Sequence, residues 1–345
     1  MIDKKLTIYD IAELSGVSPS TVSRVINNSG YVAKDKRDRV MKVIEEHEYK
    51  PNALAQGLST RHSQTIGMLV PDAINPFFAT VFVTLEKEAA KYDYNVILCN
   101  FSNDNVETLK QIAMLQTKQV DVIVQLGGPT DLEDLPVEYK ESLLKGAAGI
   151  PIITNGNSGD GAFISVSIDD SLAIEHMIRD AYGLGHRRFA MLGGNSRFLP
   201  TGLKQKAFRN AVKAMGLPAE NAIVIDYDKY DQFGGEQCVE ILERRHGDNL
   251  PTMLIGINEF VAIGVWQALM KKGYRIPEDI SIAGFDNTYL ASFCMPRLTS
   301  IGCDYEEYAK RMMGIILAVL DGKVDGKVAD VLSHYVRGAS IGSVR

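Results

Sequence analysis

The sequence predicts an α/β protein in which a small all-α head precedes a larger body of two lobes, each a doubly wound parallel sheet. Three observations carry this. Residues 7–47 space their apolar side chains at three and four, with turn residues between, and contain no strand-like run. From Thr65 onward short apolar runs alternate with helical stretches, the pattern of βα units. That alternation pauses at the linker-like Asn155–Gly161 and then restarts, which divides the body in two.

At 345 residues the chain exceeds one ordinary core. A net charge of -6 excludes a protein basic throughout, although nucleic-acid binding needs only one basic face. The four cysteines, Cys99, Cys238, Cys294 and Cys303, make no CxxC pair, so neither a disulfide scaffold nor a zinc site is expected. The start, MIDKKLTIYDIAELSG, has no apolar leader core, and no apolar run reaches membrane-spanning length. A cytoplasmic protein without a membrane partner is expected.

In the head, Thr7 reads as a helix N-cap with Asp10 completing a box-like cap. Ile8, Ile11, Ala12 and Leu14 follow helical spacing, and Gly16 ends the helix where positive φ is needed. Ser18 caps a second helix with Pro19 in its first turn. There Val22, Val25 and Ile26 face inward and leave Ser20, Thr21, Ser23, Arg24 and Asn27 outward. Two short helices across a tight turn make a helix-turn-helix, whose second helix fits a DNA major groove. A solvated polar face is the plainer alternative. A third helix runs from Lys34 or Asp35 to His47, with Lys34, Lys36, Arg37 and Arg39 near its start. Cations there oppose the helix dipole, which favours a partner anion over the alternative, a solvated charged face. After Pro51, Asn52 can cap a short helix too marginal to stand alone, with Leu58 available as a minor-groove wedge; an ordinary linker reads equally well.

In the body, strands are expected at 66–70, 95–99, 120–124 and 150–153, with helices at 78–92, 106–118 and 132–144. After the linker, helices are expected at 169–182, 202–215, 233–245 and 260–272, and strands at 188–192, 222–225, 251–255 and 280–285. Residues 298–320 start extended and become a long helix. Ligands of such sheets sit at the carboxyl ends of strands. Asp72 and Asn75, Asn258 and Glu259, and Asp286 and Asn287 occupy those ends, with Phe77 and Phe78 nearby. Carboxylates, amides and an aromatic suit a polyol or sugar-like ligand. Alternatively, Asn258 and Asp286 hold loops together.

There is no GxGxxG after the first strand, no P-loop, no HExxH and no GxSxG. Gly193-Gly194 reads as a tight turn and His186 as structural, and the histidines lack metal-ligand spacing. No catalytic residue, metal or cofactor is expected.

The stretches Thr7–Ala12, Val17–Asn27, Tyr49–Ala55, Asn75–Phe78, Leu184–Arg188 and Pro277–Asp286 resemble, in order and across nearly the whole chain, the LacI/GalR family of bacterial transcriptional regulators. The body alone also resembles periplasmic sugar-binding proteins. The resemblance implies a helix-turn-helix DNA-binding domain (1–50), a hinge helix (51–62) and a periplasmic-binding-protein-like body. Lobe 1 would comprise 63–160 and 292–330, and lobe 2 161–291 and 331–345. It implies a homodimer, a repressor on a near-palindromic double-stranded operator. DNA contacts would come from Thr7, Ser18, Pro19, Ser20, Thr21, Ser23, Arg24 and Asn27, with Asn52, Ala55 and Leu58 in the hinge. A small-molecule effector, a sugar or sugar derivative, would meet Asn75, Phe77, Lys204, Asn258, Asp286 and Tyr305. Where the family usually has an effector arginine this chain has Lys204, a point charge without the planar fork. Asn-Asp becomes Asn258-Glu259, Asp-Asn becomes Asp169-Asp170, and the acid or amide expected after Ile153 falls near Gly156. Gln56 replaces a common hinge arginine. The alternatives are a solute-binding module without a DNA role, or a regulator answering to a nucleobase-like ligand or a protein co-regulator.

Overall fold

The computed structural model describes residues 6–26, 29–47, 49, 62–102, 104–156, 163–247, 249–323 and 327–344. Asn27 and the hinge residues Asn52, Ala55 and Leu58 lie outside them. The chain forms two units, Met1–Gln64 and Thr65–Arg345.

In the first unit α1 (Ile8–Ser15), α2 (Pro19–Ile26) and α3 (Lys34–Glu46) enclose Ile11, Ala12, Val22, Val25, Val40 and Val43. The Thr7 and Asp10 capping box is reciprocal: Thr7 N–H donates to the Asp10 carboxylate at 2.6 Å, and Asp10 N–H donates to Thr7 Oγ1 at 3.4 Å. Gly16, at φ 65°, lets Val17 N–H reach back to Ala12 O at 3.0 Å, so α1 ends in a sharp turn into α2.

The second unit contains β1 (Thr65–Val70), α4 (Pro76–Ala89), β2 (Asn95–Asn100), α5 (Asn105–Thr117), β3 (Val122–Gln125), α6 (Val137–Ala147), β4 (Ile152–Thr154) and β5 (Ile164–Asp169). There follow α7 (Ser171–Gly183), β6 (Phe189–Leu192), α8 (Leu199–Ala214), β7 (Ala222–Ile225), α9 (Gln232–His246), β8 (Met253–Gly256), α10 (Glu259–Lys271) and β9 (Ser281–Phe285). The last elements are α11 (Tyr289–Phe293), β10 (Thr299–Cys303), α12 (Tyr305–Leu320) and β11 (Lys327–Val336).

The strand order is β2-β1-β3-β4-β5-β11-β10-β9-β8-β6-β7, parallel throughout except for β10 with β11. Residues 327–332 of β11 pair with β5 and residues 333–336 with β10, so one strand serves both lobes' sheets. Successive residues of β1 go to opposite faces: Met68 joins Val124, Tyr308 and Met312, while Leu69 joins Ile123 and Leu143. Covering both faces with helices explains why these strands read as unbroken apolar runs.

Two strands differ from the sequence reading. Ile164–Asp169, grouped above with lobe 2, pairs with β4 and sends Val166 into the lobe 1 core. The sequence reading assigns no strand here, because Ser165 and Ser167 interrupt the apolar run by which the other strands are read. Residues 299–303, grouped above with lobe 1, pair with β9, and Ile301 packs in the lobe 2 core. The chain therefore changes lobes after β5, after β10 and within β11. The helix expected at 132–144 begins at Val137, because Gly127 and Gly128 turn β3 into a short 3-10 segment, Gly128–Asp131.

His186 is 2 % exposed and knots the second lobe together. Its ring nitrogens lie 2.8 Å from Thr252 Oγ1 and 2.9 Å from Gly342 O, which fits the structural role read for it.

Candidate DNA interface and ligand cleft

Ser18, Ser20 and Arg24 are exposed on the α2 face, with Thr21 and Ser23 half-buried beside them. Ser18 Oγ accepts from Thr21 N–H at 3.3 Å and lies 2.9 Å from both Ser20 Oγ and Thr21 Oγ1. The cluster of small hydroxyls leaves the start of α2 unobstructed for close approach to a groove. Pro19 occupies the first turn and is half-buried, and Thr7 is exposed at the start of α1. Lys34, Lys36 and Arg39 are exposed at the start of α3; Arg39 lies 3.9 Å from Asp35. The helix-turn-helix thus presents short polar groups with cations alongside, the chemistry of phosphate positioning and base-edge contact.

In the body, Asn75, Pro76, Asn258, Glu259, Phe260, Asp286, Thr288 and Leu290 line one narrow space. The first two come from the end of β1 and the rest from the ends of β8 and β9, so this is the cleft between lobes. Asn75 Oδ1 accepts from Phe77 N–H at 3.0 Å and caps α4. Asn258 is committed at both ends of its amide: Oδ1 accepts from Val261 N–H at 2.8 Å, and Nδ2 donates to Tyr230 O at 2.9 Å. Asn258 therefore holds these loops together, using one Oδ1 lone pair and one of the two Nδ2 hydrogens.

Asp286 sits at φ 96° and Asn287 at φ 48°, two consecutive non-glycine residues in a region that Asp and Asn tolerate better than others. That bend turns the end of β9 into the cleft. Tyr305 OH donates to Asp286 O at 2.7 Å, and the Tyr305 ring lies 6.1 Å from Phe77. Both aromatics pack on the first lobe's core, so Tyr305 ties the backbone at the end of β9 to that lobe. Lys204 does not line the space. Its ammonium is 3.7 Å from Asp170 and 4.4 Å above the Phe285 ring. Burial and Asp170 push the Asp286 carboxyl up to about 6, against the pull of Lys204.

The sequence reading underweighted Glu259. It is 2 % exposed and accepts from Ser300 Oγ at 3.0 Å, from Thr288 N–H at 3.1 Å and from Thr288 Oγ1, which ties α10 to β10 and to the turn after β9. Burial, then the Asp286 carboxylate, push it up to about 7 despite those donors. The folded carboxyl keeps its proton to about 7, whereas its ordinary value is 4.5. Stability is therefore lost as pH rises through that window. Glu259→Gln should remove this slope. Urea melts at pH 5 and pH 8 should show the variant gaining on the parent by on the order of 2 kcal/mol at the higher pH. Parallel pH profiles would show that Glu259 titrates normally.

Residues 7–52 match the family described as bacterial regulatory proteins, lacI family, and residues 178–341 match a periplasmic binding protein-like domain. The HTH-type transcriptional regulator DegA of Bacillus subtilis (strain 168) is 31% identical over 306 residues, which cover 88% of this chain and 88% of that protein. Among solved structures, the lac repressor dimer bound to operator and the anti-inducer ONPF shares the fold with a TM-score of 0.83 at 21% identity, over 99% of this chain and 100% of that one. A LacI family transcriptional regulator from Enterococcus faecium with bound ribose aligns with a TM-score of 0.68 at 24% identity, over 81% of this chain and 100% of that one.

Proposed function

Because the chain belongs to the LacI family of bacterial transcriptional regulators, we propose that its cleft senses a carbohydrate-related small molecule and that occupancy sets the affinity of a cytoplasmic homodimer, a repressor, for a near-palindromic operator. That it is a DNA-binding transcriptional regulator and not an enzyme follows from the family itself. The observation that carries the sensor reading is the meeting of Asn75 from one lobe with Asn258 and Asp286 from the other around one space. The ribose held by the Enterococcus faecium regulator of the same fold supports a sugar-like class.

In this reading Thr7, Ser18, Pro19, Ser20, Thr21, Ser23 and Arg24 contact operator, joined by Asn27 and by the hinge residues Asn52, Ala55 and Leu58. Asn75, Phe77, Asp286 and Tyr305 contact the ligand, Asn258 shares itself between ligand and α10, and Lys204 acts on the cleft across Asp170. A ligand that binds the closed lobes better than the open ones shifts their equilibrium, and operator affinity follows only through that difference.

Selection from random duplexes should enrich a two-fold symmetric sequence. Affinity for it should then change when neutral, aminated and phosphorylated sugars and nucleobases are added in turn. An asymmetric selected site would remove the dimer reading. Operator affinity unmoved by compounds shown to saturate the protein would remove the switch.

A further inference from the structure

Resting on the interlobe space as the ligand site, we propose that its ligand presents a protonated amine, so that the cleft prefers aminated sugars to neutral ones and rejects phosphorylated ones. Of the described residues lining the space, Glu259 and Asp286 are acids and none is lysine or arginine. The neighbouring cation, Lys204, is already offset by Asp170 at 3.7 Å and stacked on Phe285. The donors on Glu259 are all uncharged: Thr288 N–H, Thr288 Oγ1 and Ser300 Oγ. Two carboxyls therefore share one site, and the Asp286 carboxylate holds the Glu259 proton on more tightly, while Lys204 and Asp170 act on Asp286 in opposite senses.

A separate observation comes from the first lobe. Asp131 lies just past the carboxyl end of β3 and is 6 % exposed, yet its Oδ1 has no hydrogen-bond partner. Among the described residues, its carboxyl otherwise accepts only from the Gly156 backbone. A Cβ at position 156 would stand 2.9 Å from Asp131 Oδ1 and 2.7 Å from Thr130 O, so the glycine is what admits this carboxyl. Asp131 thus brings an acid to the strand end where Gly156 has none. The next residues cross to the second lobe: Leu132 bridges to Phe198, and Glu133 N–H donates to Arg197 O at 3.0 Å, just ahead of the helix that carries Lys204. Asp131 stands at the lobe seam with an acceptor to spare.

Phosphate entering this space meets the carboxyls of Glu259 and Asp286, with Asp131 at the lobe seam. A neutral hydroxyl gains ordinary hydrogen bonds. An ammonium gains charge-assisted ones and favours the ionised form of Glu259, whose carboxyl keeps its proton to about 7. The groups facing Asp286 are Lys204 on α8, Asp170 at the start of α7, Glu259 on α10, and Cys303 and Tyr305 around the start of α12.

The test is calorimetry and thermal shift on the full chain at pH 7 with D-glucosamine, D-glucose and D-glucose 6-phosphate, and with the matching galactose and mannose sets. In at least one set the amine should bind about tenfold tighter than its neutral parent. Its binding heat should vary with the buffer's ionisation enthalpy, because protons leave. Asp286→Asn and Asp131→Asn, which keep side-chain shape, should each bring the amine-to-neutral ratio towards one. A neutral or phosphorylated member that binds as well as the amine overturns the charge assignment and leaves the ligand site standing. Stabilisation by no member of any set overturns both.

Discussion

Arg24→Ala should weaken operator binding by about 10- to 100-fold and leave ligand binding unchanged, whereas Asp286→Asn should leave operator binding of the ligand-free protein intact and weaken its response to ligand. Arg24 is exposed on the last turn of α2, beyond the hydroxyl cluster of Ser18, Ser20 and Thr21. A cation there favours its own helix through the dipole, so its removal costs the head a few tenths of a kcal/mol and does not unfold it. Against DNA the loss is larger, because a guanidinium meets either a phosphate or a guanine edge. The two are separable. A phosphate contact lowers the slope of log affinity against log salt by about one and is restored in part by Arg24→Lys. A guanine contact instead relaxes selection at one operator position. Asn is the conservative change at Asp286, because it tolerates the φ of 96° there while losing the charge. Gel-shift titrations with and without a bound sugar on both variants decide the matter. If both variants lost both properties, head and cleft would not be divided in labour as drawn here.

The head was legible because its signals are local. A capping box three residues long, a glycine at the turn and apolar spacing within α1 and α2 need no distant partner. Strands such as β1 and β8 were legible because burial on both faces leaves a continuous apolar run. β5 and β11 were not. Ser165 and Ser167 alternate with apolar residues, and β11 takes its identity from β5 in one lobe and β10 in the other, far away in the chain. The site divides the same way. Asn258 and Asp286 stand out by position at strand ends. That the Asn258 amide is engaged at both ends, or that Lys204 is held by Asp170, depends on contacts between segments that sequence spacing does not encode. At position 156 the glycine leaves room for the Asp131 carboxyl, again a contact between separate segments.

Gly264→Ala should cost the body about 3 kcal/mol or more, although alanine is the better helix former by roughly 1 kcal/mol. The reason is backbone contact between α9 and α10. A Cβ on Gly264 would lie 2.0 Å from Gln232 O, and one on Gly235, on the facing helix, 2.3 Å from Val261 O. Neither contact can be relieved by rotating a side chain, because both partners are main chain. The helices must separate, and α10 carries the cleft wall at its start: Asn258 caps it and Glu259 is its first residue. Helix separation therefore moves Glu259 off Thr288 and Ser300 as well as opening the core around Val261 and Val265. Gly314→Ala is the matched control, since that glycine is also mid-helix, in α12, with nothing within 4 Å of its Cβ position. It should be neutral or gain up to about 1 kcal/mol. Urea unfolding of the two variants separates helix propensity, common to both, from backbone approach, present in one. Equal stability of the two would mean that α9 and α10 yield without loss. A cleft wall that soft could not hold Asn258 and Glu259 in the geometry a ligand would read.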